Sequence, residues 1–323
     1  MSVGILLVGG FGTRLAPLTN KTPKPMLPIA NLPVTEHQLL VAKAAGINKI
    51  VLATSYLAEV FIPYFGDGSK WGMEIKYAIE SEPLGTGGAI RNAAELVLPE
   101  LTFNEPIVIF NGDVLSRHNL RKQIDLHTAH AAAVTLHLVS VQDARPYGCV
   151  AFDNDFKVTD FLEKMETPLT NTINAGCYVF DPAIIQELAL GKVISVEREV
   201  FPNLLSAGKD LFAYVDDSYW LDMGTHSALL KGSRDYVGEK DFILGANSKI
   251  ATNVKIFGAS AIGDNVSIGN NVEIFGSIIR DGAVIGAGSK LKNVFVETGA
   301  QISENTISEM SYLSDGEPVT LNH

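Results

Sequence analysis

Leu7-Val8-Gly9-Gly10-Phe11-Gly12-Thr13-Arg14-Leu15 closes a short apolar run, Gly4–Val8, and the reading of this stretch decides the fold. A buried strand that ends in glycines is how an open parallel sheet offers backbone N–H groups to phosphate oxygens. Glycine lets the chain turn tightly and approach an anion without a Cβ in the way. Two familiar loops do not fit. A P-loop ends in Gly-Lys-Ser/Thr, whereas Gly12-Thr13-Arg14 stands here. A dinucleotide fingerprint needs glycine where Leu15 sits and an acid after the second strand, where Thr54-Ser55-Tyr56 stand. Pro17, Pro23, Pro25 and Pro28 keep a helix from starting directly after the loop. What is left is a phosphate-binding loop prolonged by an extended, proline-stiffened arm. That arm carries Arg14 and Lys24, two cations held at low entropic cost and suited to a triphosphate.

The charge distribution agrees. The 323 residues carry a formal net charge of -11, which argues against nucleic acid as a partner because phosphate contacts need a basic footprint. From Met1 to Thr35, however, there is no Asp or Glu, and Arg14, Lys21 and Lys24 give +3. An acid-free, glycine-rich basic stretch in an acidic chain suits a small polyanion.

Working outward, the first two-thirds alternate strand-like and helix-like segments. Gly4–Val8, Lys49–Thr54, Glu74–Ile79 and Pro106–Phe110 read as strands, as do Val134–Val139 and Asn174–Phe180. Glu36–Ala45 reads as a helix presenting Leu39, Leu40 and Ala44 on one side; Ala58–Phe65 and Ala89–Val97 read as helices too. This order predicts an α/β fold, a Rossmann-like mixed, mainly parallel sheet with helices on both faces. Ligands in such sheets bind beyond the carboxyl ends of the strands, where Gly9–Arg14, Ser81–Gly88 and Asn111–Asp113 fall.

From Ile250 the texture changes. An aliphatic residue recurs about every six, at Ile250, Ile256, Ile262, Ile268, Ile274, Ile279, Ile285, Leu291, Val296 and Ile302, with two one-residue slips. A smaller residue usually follows four later, as at Val254, Ser260 and Val266, and Gly258, Gly263, Gly269, Gly276, Gly282, Gly286, Gly288 and Gly299 are the expected turns. A six-residue period means one short strand and one corner per repeat, three repeats to a coil. The pattern resembles the hexapeptide repeat of left-handed β-helices. A single coil cannot bury its own face, so stacking on the rest of the chain or on a second copy is expected. The predicted division is a catalytic domain over 1–237, a β-helix over 245–308, and a mobile acidic tail over 309–323. Cys149 and Cys177 match no disulfide framework or zinc motif and read as buried free thiols of a reducing compartment. No signal peptide or membrane span is evident, so a cytoplasmic protein is expected.

Further motifs follow in order: Pro83-Leu84-Gly85-Thr86-Gly87, Asn111-Gly112-Asp113, Tyr147-Gly148, Phe161-Leu162-Glu163-Lys164, Asn174-Ala175-Gly176 and Trp220-Leu221-Asp222-Met223-Gly224-Thr225. With the opening Gly9–Thr19 and Pro23–Pro28, they resemble the signature of the sugar-1-phosphate nucleotidyltransferases over roughly residues 3–235. The likeness is greatest to the mannose-1-phosphate guanylyltransferases, which share the opening and the hexad tail. Ala16, where many relatives carry Arg, is a small departure. The resemblance implies a Mg²⁺-dependent enzyme joining GTP and mannose 1-phosphate into GDP-mannose and pyrophosphate. The alternatives are a glucose-1-phosphate thymidylyl-, uridylyl- or adenylyltransferase, or a catalytically silent regulatory subunit that binds nucleotide sugar. A homo-oligomer built through the β-helix is expected.

Residue by residue, the resemblance implies Asp113 and Asp222 as metal ligands and Arg14, Lys24, Asp113, Lys164 and Asp222 as catalytic groups. Gly9, Gly10, Gly12, Thr13, Gly85, Asn111 and Gly112 would bind the nucleotide, and Tyr147, Gly148, Glu163, Lys164 and Asn174 the sugar phosphate. Glu197, in Ser195-Val196-Glu197-Arg198-Glu199, either reaches the sugar or belongs to an ordinary helix-face ion pair. Guanine presents N1–H and N2–H₂ side by side, and one carboxylate can accept both; Glu80 and Glu82 are suited to that. Asp125, His127 and His130 have a metal-like spacing but read as a solvated helix face.

Overall fold

Uninterrupted aliphatic runs become the centre of a sheet. The computed structural model describes residues 2–10, 12–55, 58–102, 105–163, 165–315 and 317–321. Two units divide the chain, one made of Met1–Gly10 and His37–Trp220, the other of Phe11–Glu36 and Leu221–His323.

In the first unit, β1 (Val3–Leu7), β2 (Lys49–Thr54), β3 (Glu74–Ile79) and β4 (Ile107–Asn111) lie parallel in the order β3-β2-β1-β4. β1 and β4 are each displaced by one residue from the apolar runs Gly4–Val8 and Pro106–Phe110. At β4 the cause is chemical: Pro106 has no N–H to give to a ladder. Five further strands complete a nine-stranded mixed sheet: β5 (Val134–Ser140), β6 (Gly148–Phe152), β7 (Val158–Glu163), β8 (Thr172–Phe180) and β9 (Leu211–Val215). β8 runs antiparallel to β4, β5 and β6. Two helices pack on the sheet, α2 (Gly85–Ala94) against β1 and β2, and α3 (Leu120–His130) against β5.

Three expectations are corrected here. The helix over the second segment, α1 (Val34–Ala44), buries Leu39 and Ala42, whereas Leu40 is 45% exposed and Ala44 faces water. The buried face also carries Gln38, whose Nε2 donates to Asn111 O (2.7 Å) and Val114 O (2.9 Å). The segment 81–88 is not a loop throughout, because α2 already begins at Gly85. Finally, the solvated face on α3 is only partly so. Asp125 pairs with Arg121 and His130 is exposed, but His127 is buried and shares a 3.1 Å hydrogen bond with Thr135 Oγ1.

Two more histidines are buried near the same strands. His118 and His137 stack with ring centroids 3.9 Å apart. His118 bonds Ser116 Oγ (2.8 Å) and Gln123 Oε1 (3.0 Å), and His137 Nε2 bonds Asp216 O at 3.2 Å. Burial is the main reason that His118 is lowered to about 3 and that His137 and His127 are each lowered to about 4. A histidine depressed in the native state binds its proton in the unfolded chain first. Its contribution is therefore fully present above the unfolded value near 6.5 and is withdrawn as pH falls towards 4, by about 1.4 kcal/mol per pH unit and group. The imidazole C–H resonances of these three should accordingly show no titration above pH 5, while thermal stability declines below about pH 6.5. A midpoint near 6.5 for any of the three would contradict this burial.

In the second unit, the hexads form a three-sided parallel β-helix, completing the fold class read from the sequence. The columns Ile256–Ile274–Leu291, Ile262–Ile279–Val296 and Ile268–Ile285–Ile302 stack in register and line one apolar core. The two slips shorten the coil by one residue after the first turn. Corners are made as much by asparagine as by glycine: Asn247, Asn253, Asn265, Asn271, Asn293 and Asn305 take φ between 51° and 59°. Asparagine tolerates that left-handed region better than other side chains. Gly263, Gly269 and Gly286 do not take positive φ; there the adjacent coil is too near for a side chain. Strand pairing runs past residue 308, since Ser311–Leu313 extends one ladder and Val319–Thr320 folds back on it. Ahead of the coils, α4 (His226–Val237) packs on Pro28–Ile29 and on Ser260–Ile262. Among the described residues no helix is long and apolar enough to cross a membrane.

Candidate functional site

In the first unit, chain ends converge at the carboxyl edge of the parallel strands. Beyond β1, Val8 N still donates to Ala53 O (2.9 Å), after which Gly9 and Gly10 are exposed. Beyond β4, Gly112 N donates to Leu7 O at 3.0 Å. A Cβ on Gly112 would lie 2.3 Å from that same oxygen, so only glycine lets the two strand ends touch. Asp113 follows, half-buried, in a loop whose carbonyls at Asn111 and Val114 are held by Gln38. Beyond β3, Glu80 N donates to Thr54 O, and one Glu80 carboxylate oxygen accepts from Leu84 N at 3.2 Å. Burial raises the Glu80 carboxyl above the usual carboxylate range, while the Leu84 N–H pulls the other way. Glu82 is exposed.

A hydrogen-bond network joins the two sets of loops in this unit. Tyr178, fully buried, accepts from Asn174 Nδ2 (2.8 Å) and Asn111 Nδ2 (3.4 Å) and donates to Glu197 Oε1 (3.4 Å). Glu197 Oε2 accepts from Thr86 Oγ1 (2.9 Å) and Ser195 Oγ (3.2 Å). The Glu197 carboxylate thus ties the Pro83–Gly88 segment, through Tyr178, to Asn174 in β8. Burial, followed by the nearby Glu197 charge, raises the Tyr178 hydroxyl far above its usual value, so it stays a protonated donor. Asn111 Oδ1 and Glu80 Oε1 are buried with no hydrogen-bond partner among the described residues. An orphaned acceptor costs about 1–3 kcal/mol unless water or a ligand meets it.

Gly148 and Glu163 face each other across β6 and β7, and Ile173 pairs with Cys149 alongside, which brings Asn174 near them. Tyr147 packs edge-on against Trp220, 5.5 Å between centroids. Lys164 lies outside the described residues. Tyr178 and Gln38 were not singled out as functional in the sequence. Tyr178 sits in an apolar strand and Gln38 in a helix, and only the tertiary fold brings either to the loops.

In the second unit, the arm brings Lys24 to the Asp222 carboxylate and the Arg14 guanidinium beside Gly224. Gly12, at φ 58°, caps a 3-10 turn over Thr13–Leu15, and Thr19 Oγ1 donates to its carbonyl (3.0 Å). Thr13 and Arg14 are exposed. Lys24 is buried in a second 3-10 turn, its Nζ 3.9 Å from Asp222 Oδ1. A Cβ on Gly224 would lie 3.2 Å from Arg14 Nη1 and 3.3 Å from Asp222 Oδ2, so these three groups crowd one point. Thr225 Oγ1 accepts from Ala228 N and caps α4, fixing the chain just after Asp222. No α-helix forms between Gly12 and Val34, as the prolines require.

Open α/β sheets bind their ligands beyond the carboxyl ends of the strands, where these glycines and carboxylates lie. The sequence profile described as "Nucleotidyl transferase" matches residues 3–239, and the chain belongs to that family. It is 50% identical over 234 residues to the "Mannose-1-phosphate guanylyltransferase" of Mycobacterium tuberculosis (strain ATCC 25618 / H37Rv), a match covering 72% of this chain and 64% of that one. It is 32% identical over 315 residues to "Mannose-1-phosphate guanylyltransferase 1" of Arabidopsis thaliana, covering 96% and 85%. Among solved structures, HddC from Yersinia pseudotuberculosis complexed with GMP-PN is 29% identical with a TM-score of 0.63, covering 73% of this chain and 100% of that one.

Proposed function

We propose that the chain transfers a guanylyl group from GTP to mannose 1-phosphate, yielding GDP-mannose and pyrophosphate. The observation that carries this reading is the 50% identity over 234 residues to a protein named for that activity. In the reaction, an oxygen of the sugar phosphate attacks the α-phosphorus and the bond to pyrophosphate breaks. Two polyanions must meet, so positioning and charge neutralisation dominate.

In this reading the backbone of Gly9, Gly10, Gly12 and Thr13 cradles the triphosphate together with Gly85, Asn111 and Gly112. Arg14 and Lys24 neutralise charge growing on the departing pyrophosphate. Lys164 grips the sugar phosphate, while Tyr147, Gly148, Glu163 and Asn174 take the sugar. The donor set suits Mg²⁺, a hard cation that binds carboxylate oxygens: Asp113 is half-buried and the Asp222 side chain 26% exposed, so each is accessible at least in part. Held by Asp113 and Asp222, Mg²⁺ would draw charge from the phosphate oxygens. We place the protein in the cytoplasm, consistent with two buried free thiols, and include self-association through the β-helix, on which Phe257 and Ile307 are exposed.

Pyrophosphate release with each nucleoside triphosphate, against mannose 1-phosphate and glucose 1-phosphate, tests the reading. GTP with mannose 1-phosphate should be the preferred pair. A preference for dTTP, UTP or ATP would replace it with the corresponding rival, and no turnover in any pair would leave a silent binding subunit. Glu80→Gln and Glu82→Gln test the base. Whichever carboxylate reads guanine, its amide loses one of two accepted N–H bonds, and the GTP/ATP preference should fall about tenfold. Unchanged preference in both variants would refute the role.

A further inference from the structure

The second unit groups the arm with the β-helix, and the contacts between them are specific. Arg280, on the corner after Ile279, is mostly buried, as is its partner Glu297: their side chains are 18% and 16% exposed. Arg280 Nη1 donates to Glu297 Oε1 at 2.7 Å and to Thr22 Oγ1 at 3.3 Å. Tyr312 OH donates to the other Glu297 oxygen, and the guanidinium lies 5.9 Å from the Phe295 ring centre. Thr22 is itself buried, two residues before Lys24. On the far side of Lys24, Asn31 Nδ2 donates to Ile262 O at 2.6 Å. The stretch holding Lys24 is thus tied to the β-helix at both ends.

We propose that Arg280 is a positioning residue: locked by Glu297 and Tyr312, it fixes Thr22 and thereby sets Lys24 for the triphosphate. This rests on the reading of the arm as the triphosphate-binding element. A guanidinium suits the task because the two N–H groups of its planar Nη1 point in fixed directions, here to two acceptors, which an ammonium on a flexible stem does less well. The β-helix is then part of the nucleotide site's support as well as a surface.

Thr22→Val tests this without disturbing the Arg280–Glu297–Tyr312 lock, and Thr22→Ser restores the hydroxyl. Thr22→Val should raise KM for GTP, and the Kd of a non-hydrolysable GTP analogue, by about 2- to 30-fold. KM for mannose 1-phosphate and the Tm should stay at wild-type values, and Thr22→Ser should return GTP binding to within about twofold of wild type. Backbone amides of residues 13–27 should exchange faster in Thr22→Val, with those of 290–302 unchanged. Arg280→Lys should shift GTP binding in the same direction as Thr22→Val. Wild-type GTP affinity and arm exchange in Thr22→Val would overturn the proposal, as would an equal rise in both substrates' KM. A wild-type protein that binds no triphosphate would sink the functional reading and this proposal together, whereas firm wild-type binding with an unaltered Thr22→Val would sink the proposal alone.

Discussion

Asp113→Asn should lower pyrophosphate release by about 10²- to 10³-fold while the protein remains folded. The substitution keeps size and one acceptor oxygen but removes the negative charge that would recruit a divalent cation. The loop should hold its shape, because Gln38 grips it through the carbonyls of Asn111 and Val114. Activity assays over a range of Mg²⁺ concentrations, with circular dichroism as the control for folding, decide the matter. Wild-type turnover in Asp113→Asn would remove Asp113 from the metal site, and unfolded protein would show that the side chain supports the loop instead.

Gly112→Ala acts through the backbone. The added Cβ would stand 2.3 Å from Leu7 O and 3.1 Å from Val8 Cγ1, and the first of these is main chain that cannot swing away. β1 and β4 must part at their carboxyl ends. Overpacking of this kind costs about 1–3 kcal/mol, and a shift near 1 Å in reacting groups lowers rates by about 10²-fold. Both losses should therefore appear together, in thermal denaturation and in turnover. Gly10→Ala makes the contrast: among the described residues beyond its chain neighbours nothing lies within 4 Å of its Cβ, so stability should be kept whatever happens to catalysis. A Gly112→Ala protein as stable and active as wild type would mean that the strand ends are looser than this geometry allows.

Much of this architecture was readable in the chain because its signals are local and repetitive. β2 and β3 fall where the apolar runs place them, and the hexad columns need only a constant period. What escaped depended on partners distant in sequence. Gly85-Thr86-Gly87-Gly88 has poor helix propensity, yet α2 starts there because Gly87 N finds Ile194 O (2.8 Å) and Thr86 finds Glu197. His127 could have been recognised, since Leu120, Gln123, Ile124 and His127 share helical spacing and are all buried. The antiparallel pair β6 and β7, visible only as two short motifs, lacks a clean alternation: Thr159 and Asp160 are both exposed in β7. At the site, the motif residues could be named but not their wiring. Tyr178 as the junction of Asn111, Asn174 and Glu197, and Gln38 as the clasp of the Asp113 loop, follow from the sheet order and from helix rotation, which no single segment encodes.

The two cysteines lend the molecule a further use. Both are buried, in β6 and β8, and both belong to the first unit, whereas the second has none. Burial also pushes the Cys177 thiol up, so the native chain offers little thiolate to an alkylating reagent there. Labelling must wait until these strands separate. Its rate is a clock for the opening of one unit, silent to the unravelling of the coils, and with it the lifetime of that unit can be timed by itself without introducing a probe.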